Sequence, residues 1–285
     1  MICLDNLASG QIDNIRQLET SRNFEFIEGD ITEKIDFVVD RIYNLACPAS
    51  PLFYQADPIK TMKTSILGAL NVLELAKATE ARVLQTSTSE VYGDPKEHPQ
   101  KESYWGHVNP IGVRACYDEG KRAAETLFFD YKRQFNIEIK IARIFNTYGP
   151  NMRPDDGRVI SNLIVQALSA QPLTVYGSGK QSRSFCYVDD IVAGLVAMMN
   201  SPKELTGPIN LGNPEEFTIL ELVDILSSQI PNSSPVKFYP LPQDDPKQRK
   251  PDITIAKKFL NWQPTTRLVD GISPTISYFQ TRLRN

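Results

Sequence analysis

Residues 82–93 run Arg82-Val-Leu-Gln-Thr-Ser-Thr-Ser-Glu-Val-Tyr-Gly93. A β-forming apolar run ends in hydroxyl side chains and one carboxylate, and a glycine then marks a turn. A long helical pattern precedes it over 59–79, with Ile66, Leu70, Leu73 and Leu75 at helical spacing. Another follows over 113–135, carrying Ala123, Ala124, Leu127 and Phe128. Further short apolar runs at 1–4, 24–28, 41–45 and 137–144 complete an alternation of strand and helix. Runs apolar enough to be buried on both faces belong to a parallel sheet covered by helices.

After Tyr148 the texture changes. Gly149-Pro150 and Pro154-Asp-Asp-Gly157 mark loops. Shorter elements are expected beyond them: helices over 159–170, 189–200 and 218–229, and strands at 173–176 and 209–211. Residues 231–251, rich in Pro, Asp and Lys, predict an irregular loop. The chain therefore reads as α/β. Residues 1–148 form a Rossmann-type, doubly wound parallel sheet, and 149–285 are mainly a smaller substrate-binding lobe that interleaves with it. In such a sheet the ligand crevice lies at the carboxyl ends of the strands.

The residues that carry chemistry begin with Tyr117-Asp-Glu-Gly-Lys121. Positions four apart share a helix face, so an ammonium sits near a phenol and favours its ionised form, as a base requires. An amphipathic tyrosine beside a solvated lysine satisfies the same spacing. Tyr92-Gly-Asp-Pro-Lys96 also fits the bare pattern, but its glycine and proline belong to a turn. What separates the first copy is the hydroxyl-rich strand end at Thr86–Glu90 ahead of it. Hydroxyls there can hydrogen-bond a substrate oxygen, and a carboxylate can orient or deprotonate it. Asp5, at the end of the first apolar run, has two readings: partner of an adenosine ribose diol, or ordinary turn chemistry.

This order of residues resembles the extended short-chain dehydrogenase/reductase family, whose catalytic set is Ser/Thr, Tyr and Lys. Longer stretches resemble its UDP-glucuronate decarboxylase branch: Leu45-Ala-Cys-Pro-Ala-Ser-Pro51, Thr86 to Asp94, Asn109-Pro-Ile-Gly-Val-Arg114, Cys116-Tyr-Asp-Glu-Gly-Lys-Arg122 and Arg143-Ile-Phe-Asn-Thr-Tyr-Gly-Pro150. Val175 to Phe185 and Arg249-Lys-Pro251 continue the likeness over nearly the whole chain. The triplet Thr88-Ser89-Glu90 is similar to the decarboxylase pattern. Dehydratases are expected to carry Thr-Asp-Glu there, and epimerases no acid.

The resemblance implies conversion of UDP-glucuronate to UDP-xylose through a 4-keto intermediate. Another dehydratase or epimerase of the family is the neighbouring alternative. It makes Tyr117 the base and Lys121 its partner on the nicotinamide ribose. Thr88 would hold the reacting hydroxyl, with Ser89, Glu90 and Arg249 around the sugar carboxylate. Asn146, Tyr176, Gln181 and Arg183 would join Glu90 and Arg249 in binding the UDP-sugar. Asp5, Asn6, Asp30, Ile31, Leu45, Thr64, Thr86 and Thr147 would line NAD with Tyr117 and Lys121. Ser65 departs from the asparagine usual in the family. A homodimer is implied as well, and no metal.

One departure is larger. No G-x-G-x-x-G or G-x-x-G-x-x-G occurs, and Met1 opens what reads as the second strand of such a sheet. Relative to the family roughly 30 residues, one strand-helix unit, do not stand ahead of it. Either the natural start lies upstream, or the chain is a shortened one that binds NAD weakly. A shortened chain would serve as a non-catalytic binder of UDP-sugar or of a partner chain.

Bulk properties restrict the remaining classes. The 285 residues are 41% hydrophobic and 23% charged, ordinary for a globular protein with a sizeable core. A net charge of -3 gives no general attraction to nucleic acid. No apolar run approaches the roughly 18 residues of a membrane span. The opening residues lack the basic start of a signal peptide. Cys3, Cys47, Cys116 and Cys186 are scattered without metal or redox spacing, as expected of reduced thiols in the cytoplasm.

Overall fold

The computed structural model describes residues 1–231, 235–243 and 248–284. Strands β1 (Ile2–Asp5) and β2 (Glu25–Glu28) pair in parallel, with Asp5 opposite Glu28. Strand β3 (Arg41–Asn44) leads through helix α1 (Pro51–Ala56) into the long helix α2 (Pro58–Thr79). Helix α2 starts where it does because Pro58 suits a first turn and the Asp57 carboxylate accepts from the Lys60 amide at 2.9 Å. Strand β4 (Arg82–Thr88) carries the hydroxyl residues to its last position, and a 3-10 turn over Ser89–Tyr92 follows. Helix α3 (Ala115–Phe135) stops at Asn136, whose left-handed backbone (φ 56) closes the helix before strand β5 (Ile139–Ile144).

The second half is made of shorter pieces. They are β6 (Thr147–Tyr148), α4 (Val159–Leu168), β7 (Leu173–Tyr176), β8 (Ser182–Ser184), β9 (Cys186–Tyr187) and α5 (Val188–Asn200). Strands β10 (Ile209–Leu211) and β11 (Glu216–Thr218) lead to α6 (Ile219–Gln229), which opens on a reciprocal cap between Thr218 and Glu221. Strands β12 (Val236–Tyr239) and β13 (Gln248–Arg249) and helices α7 (Thr254–Leu260) and α8 (Leu268–Arg284) complete the chain.

The central sheet runs β10-β5-β4-β3, all parallel, with β1–β2 as a separate parallel pair. Side chains alternate across it. Val83, Ile139 and Ile141 pack under α2 and α3 against Leu73, Ala124 and Phe128. Leu84 and Ala142 face the other way, onto Ile191, Met198 and Met199 of α5 and onto Trp262. A third core joins Leu163, Val175, Leu222, Leu226, Ile272 and Phe279 from α4, β7, α6 and α8. Although it comes after residue 148, β10 extends the first sheet, so the two halves interleave in space.

The irregular loop expected over 231–251 is not what forms. Val236–Tyr239 pairs in parallel with β7, and Gln248–Arg249 in parallel with β8. Residues 232–234 and 244–247 of that stretch lie outside the described residues. Strands of two to four residues are too short to show a period, and their prolines flank the ladders rather than interrupt them.

Candidate active site

At the carboxyl ends of β4 and β5 a cleft of about 950 Å³ opens between the sheet and the second lobe. Three parts of its wall are chemically distinct, and each is set by a local feature of the fold.

The first part is Tyr117 and Lys121, one turn apart on α3. Both are buried, Lys121 to 3% exposure. Its Nζ donates to the Thr86 carbonyl at 2.9 Å, the acceptor that the described residues supply to it, and lies 5.9 Å from the Tyr117 ring centroid. The helix can come this close because of Gly120. A Cβ there would meet Ser65 of α2 at 2.9 Å, tighter than real contacts allow. Tyr54 of α1 stacks flat on Tyr117, with centroids 5.1 Å apart and planes 4° apart.

The electrostatics of this pair differ from the expectation of spacing alone. Burial pushes the Tyr117 phenol well above the ordinary tyrosine range, with Cys47 adding to the shift and a Thr88 hydrogen bond working against it. Burial also lowers Lys121. Proximity on a helix face says nothing about desolvation, and here desolvation is the larger effect.

The second part is a buried charge cluster. Glu90, in the turn after β4, accepts from Arg114 Nη2 at 2.7 Å and from Arg249 Nη2 at 3.1 Å. Arg249 is 1% exposed and also donates to the Ser89 carbonyl. Burial alone would raise the Glu90 carboxyl. Arg249 and Arg114 overcome it and hold the group below the usual carboxylate range. Asp118 stands beside the cluster, pushed up to about 7 by burial and then by Glu90. Strand β13 puts Arg249 in register with Arg183 of β8, so two guanidiniums face one end of the cleft.

The third part is the mouth. Asn146, Tyr176, Gln181 and Arg183 line it. Gln181 Nε2 holds the Tyr176 carbonyl at 2.6 Å.

The structure therefore brings Leu45, Thr86, Thr88, Ser89, Glu90, Tyr117, Lys121, Asn146, Thr147, Tyr176, Gln181, Arg183 and Arg249 to one cleft. Asp5, Asn6, Asp30, Ile31 and Thr64 do not line it. Asn6 donates to Asp30 at 2.9 Å and Lys60 pairs with Asp30 at 2.7 Å, a separate polar cluster at the ends of β1 and β2. Asp5 accepts from the Leu7 amide at 2.7 Å, the turn-forming role that was one of its two readings. Thr64 bonds back to the Lys60 carbonyl within α2, and Ile31 is buried beside Gly68.

Tyr54, Arg114 and Asp118 went unrecognised in the sequence. Arg114 stands three residues before Tyr117, one helical turn away and on the same face. That spacing was a usable signal. Among the described residues no His/Cys/Asp/Glu group could hold a metal ion, and no helix is long and apolar enough to cross a membrane.

Comparison with known proteins identifies the family. The profile of the NAD dependent epimerase/dehydratase family matches residues 1–212, and the chain belongs to that family. It is 54% identical to UDP-glucuronic acid decarboxylase 1 of Arabidopsis thaliana over 285 residues, all of this chain but 65% of that protein's length. It is 56% identical to UDP-glucuronic acid decarboxylase 5 of the same plant over 283 residues, 99% of this chain and 82% of the relative. Among solved structures, UDP-glucuronic acid 4-epimerase from Bacillus cereus, in complex with UDP-glucuronic acid and NAD, superposes with a TM-score of 0.88. That match has 30% identity and covers 99% of this chain and 91% of the other.

Proposed function

We propose that the cleft binds UDP-glucuronate with NAD and decarboxylates the sugar to UDP-xylose. The observation that carries this reading is Glu90 clamped between the buried Arg249 and the largely covered Arg114, within a few residues of Thr88 and in the same cleft as Tyr117. That arrangement provides cationic partners for a sugar carboxylate beside a hydroxyl and a base. The two decarboxylase relatives support the same choice.

The residues present fit the nicotinamide end of NAD. Lys121 has three donors and, among the described residues, one acceptor in the Thr86 carbonyl, so a buried ammonium is left facing a cleft with hydrogen bonds to give. Leu45, Thr86 and Thr147 lie along the same wall. Asp5, Asn6, Ile31, Thr64 and Asp30 would serve the adenosine end. Bound NAD would supply the hydride acceptor, and later the donor, for C4 of the sugar, and its positive charge would favour the ionised phenol.

Within that frame Tyr117 takes the C4 hydroxyl proton while Thr88 orients the hydroxyl. Oxidation at C4 places a ketone β to the carboxylate, and such an acid loses CO2 because its electrons flow into the carbonyl. Ser89, Glu90 and Arg249 hold the carboxylate end, and Asn146, Tyr176, Gln181 and Arg183 hold UDP. A guanidinium suits the diphosphate because its fork reaches two oxygens. We further assign residues 1–148 to NAD and 149–285 mainly to the substrate. The outer faces of α2, where Ile59 and Leu67 are exposed, and of α3 are assigned to a homodimer contact. The four cysteines are free, in keeping with a cytoplasmic setting.

Incubation with NAD and UDP-glucuronate, followed by mass spectrometry, tests the reading. UDP-xylose and CO2 are expected. A product of unchanged mass that elutes as the 4-epimer would make the protein an epimerase. A 4-keto-6-deoxy product from dTDP-glucose would make it a dehydratase. UDP-sugar binding without turnover would leave a binding protein.

A further inference from the structure

Gln100, in the loop between the β4 turn and α3, is 0% exposed and does not line the cleft. All of its polar groups are engaged, and most of them meet the stretch just after Arg249. Its backbone N–H donates to the Lys250 carbonyl at 2.8 Å, and its carbonyl accepts from the Asp252 N–H at 2.8 Å. Its side-chain Oε1 accepts from the Lys250 N–H at 2.8 Å, while Nε2 donates to the Glu97 carbonyl at 2.7 Å. The amide can sit only one way round, because Lys250 brings a donor and Glu97 an acceptor. Asn210 of β10, also fully buried, closes the arrangement by donating to the carbonyls of Gln100 and Asp252, each at 3.0 Å.

These bonds bear on Arg249 through one peptide plane. The Lys250 N–H belongs to the peptide that begins at the Arg249 carbonyl, so Gln100 Oε1 fixes how the chain leaves Arg249. On its other edge β13 is paired with β8 at Gln248 and Arg249 alone. So short a ladder defines a strand's direction poorly. Arginine also carries much rotamer freedom, and a small turn of its backbone displaces the guanidinium by more. The Lys250 side chain ties the same stretch to Glu216 at 3.2 Å, and Glu216 also holds His98 and Ser182. That link is partly exposed, however, and holds less firmly than the buried bonds.

We propose that Gln100 is a positioning residue that aims Arg249 at the sugar carboxylate. The preference for acidic over neutral UDP-sugars is then set partly from outside the cleft. The inference rests on the UDP-glucuronate reading above and deepens it. The Arg249 guanidinium already meets Glu90 at 3.1 Å and the Ser89 carbonyl. It reaches a carboxylate on the ligand as well only while that place is kept. Without the Gln100 acceptor, the Lys250 N–H sits partly buried and unpaired. Its relief is for the peptide to turn, and Arg249 moves with it.

Titration of UDP, UDP-glucose and UDP-glucuronate into the intact chain, without added NAD so that no sugar is consumed, separates aim from fold. Gln100→Met keeps the length of the side chain and removes the acceptor. It should bind UDP and UDP-glucose within about twofold of wild type and lose about tenfold or more of the preference for UDP-glucuronate. Gln100→Glu keeps an oxygen for the Lys250 N–H whether or not it carries a proton, and should keep the preference. Preference retained in Gln100→Met overturns the proposal. Preference lost in Gln100→Glu overturns it too, since the bond to Lys250 would not then carry it. A Gln100→Met chain that no longer binds UDP does the same, because Gln100 would hold up the lobe and not one side chain. A wild-type chain with no preference for UDP-glucuronate would instead remove the functional reading, and this inference with it.

Discussion

Two clusters in this molecule are built from the same parts and stand on very different terms with water. Around Glu90, Arg114 and the carboxylate have side chains 11% and 15% exposed, and Arg249 is 1% exposed. Around Asp30, the paired Lys60 is 38% exposed and the carboxylate 22%. Both lie at the carboxyl ends of parallel strands, and both contain a cation within 2.7 Å of an acid. In the first, each ion has lost most of its hydration and depends on its partners. In the second, water still does part of that work. Ion-pair distance therefore says little about consequence, and burial says a good deal.

The largest effect is expected at Arg249. Replacing it with methionine keeps much of the volume but leaves Glu90 with Arg114 as its main partner and strips a donor from the Ser89 carbonyl. Breaking a buried pair on one side costs about 3–5 kcal/mol, and the remaining Arg114 puts this case near about 3. Urea denaturation should show the midpoint falling at unchanged slope. Decarboxylation should be lost as well. A stability change under about 1 kcal/mol would mean that the cluster is solvated after all.

Next comes Asp118→Asn, where the sign is opposite. The folded carboxyl titrates at about 7 against an ordinary value of 3.8, so the folded state holds the proton more tightly than the unfolded one. Native stability is therefore whole below the unfolded value and is lost as pH rises toward the folded one. Asparagine does not titrate, and its advantage over wild type should grow from about pH 4 and level off near pH 7. There it should reach roughly 2–4 kcal/mol. Thermal melts at intervals across that range measure it. An advantage that is flat with pH would show that Asp118 is ordinarily ionised.

These two residues also mark where sequence reasoning stopped. The sheet, α2, α3 and the cleft at the strand ends were legible because long amphipathic runs report burial through their period. Thr88, Glu90 and Tyr117 were legible because hydroxyl, acid and phenol stand at strand and helix ends in a telling order. Arg249 came only from resemblance, since β13 is two residues long and follows a stretch with no periodicity. Asp118 carried no signal, because an acid in the first turn of a helix is ordinarily solvated and favourable. The direction of the Tyr117 shift reversed for a related reason. Spacing reports which groups are neighbours, while desolvation depends on what α1 and the second lobe lay over them.

The smallest effect is expected at Lys60, and it tests the other half of the contrast. Lys60 Nζ reaches both Asp30, at 2.7 Å, and the Thr32 hydroxyl, at 2.9 Å. Partial burial alone would raise the Asp30 carboxyl. Lys60, the amide and hydroxyl of Thr32, and Asn6 together hold it well below the usual carboxylate range. Lys60→Met removes one of these and leaves the Thr32 amide at 2.9 Å, its hydroxyl at 2.7 Å and the Asn6 amide at 2.9 Å. A carboxylate that keeps three donors and part of its water loses little, so the cost should lie between about 0 and 1 kcal/mol. What is lost should appear at pH 7 and fade as pH falls, because a depressed carboxyl contributes only while the unfolded group is ionised. It should also shrink in 0.5 M salt, where screening reaches exposed charges but not buried ones. Denaturation of Lys60→Met at low and high salt, beside Arg249→Met under the same conditions, measures both. If Lys60→Met lost 2 kcal/mol or more and kept that loss in high salt, exposure would not be what separates the two clusters.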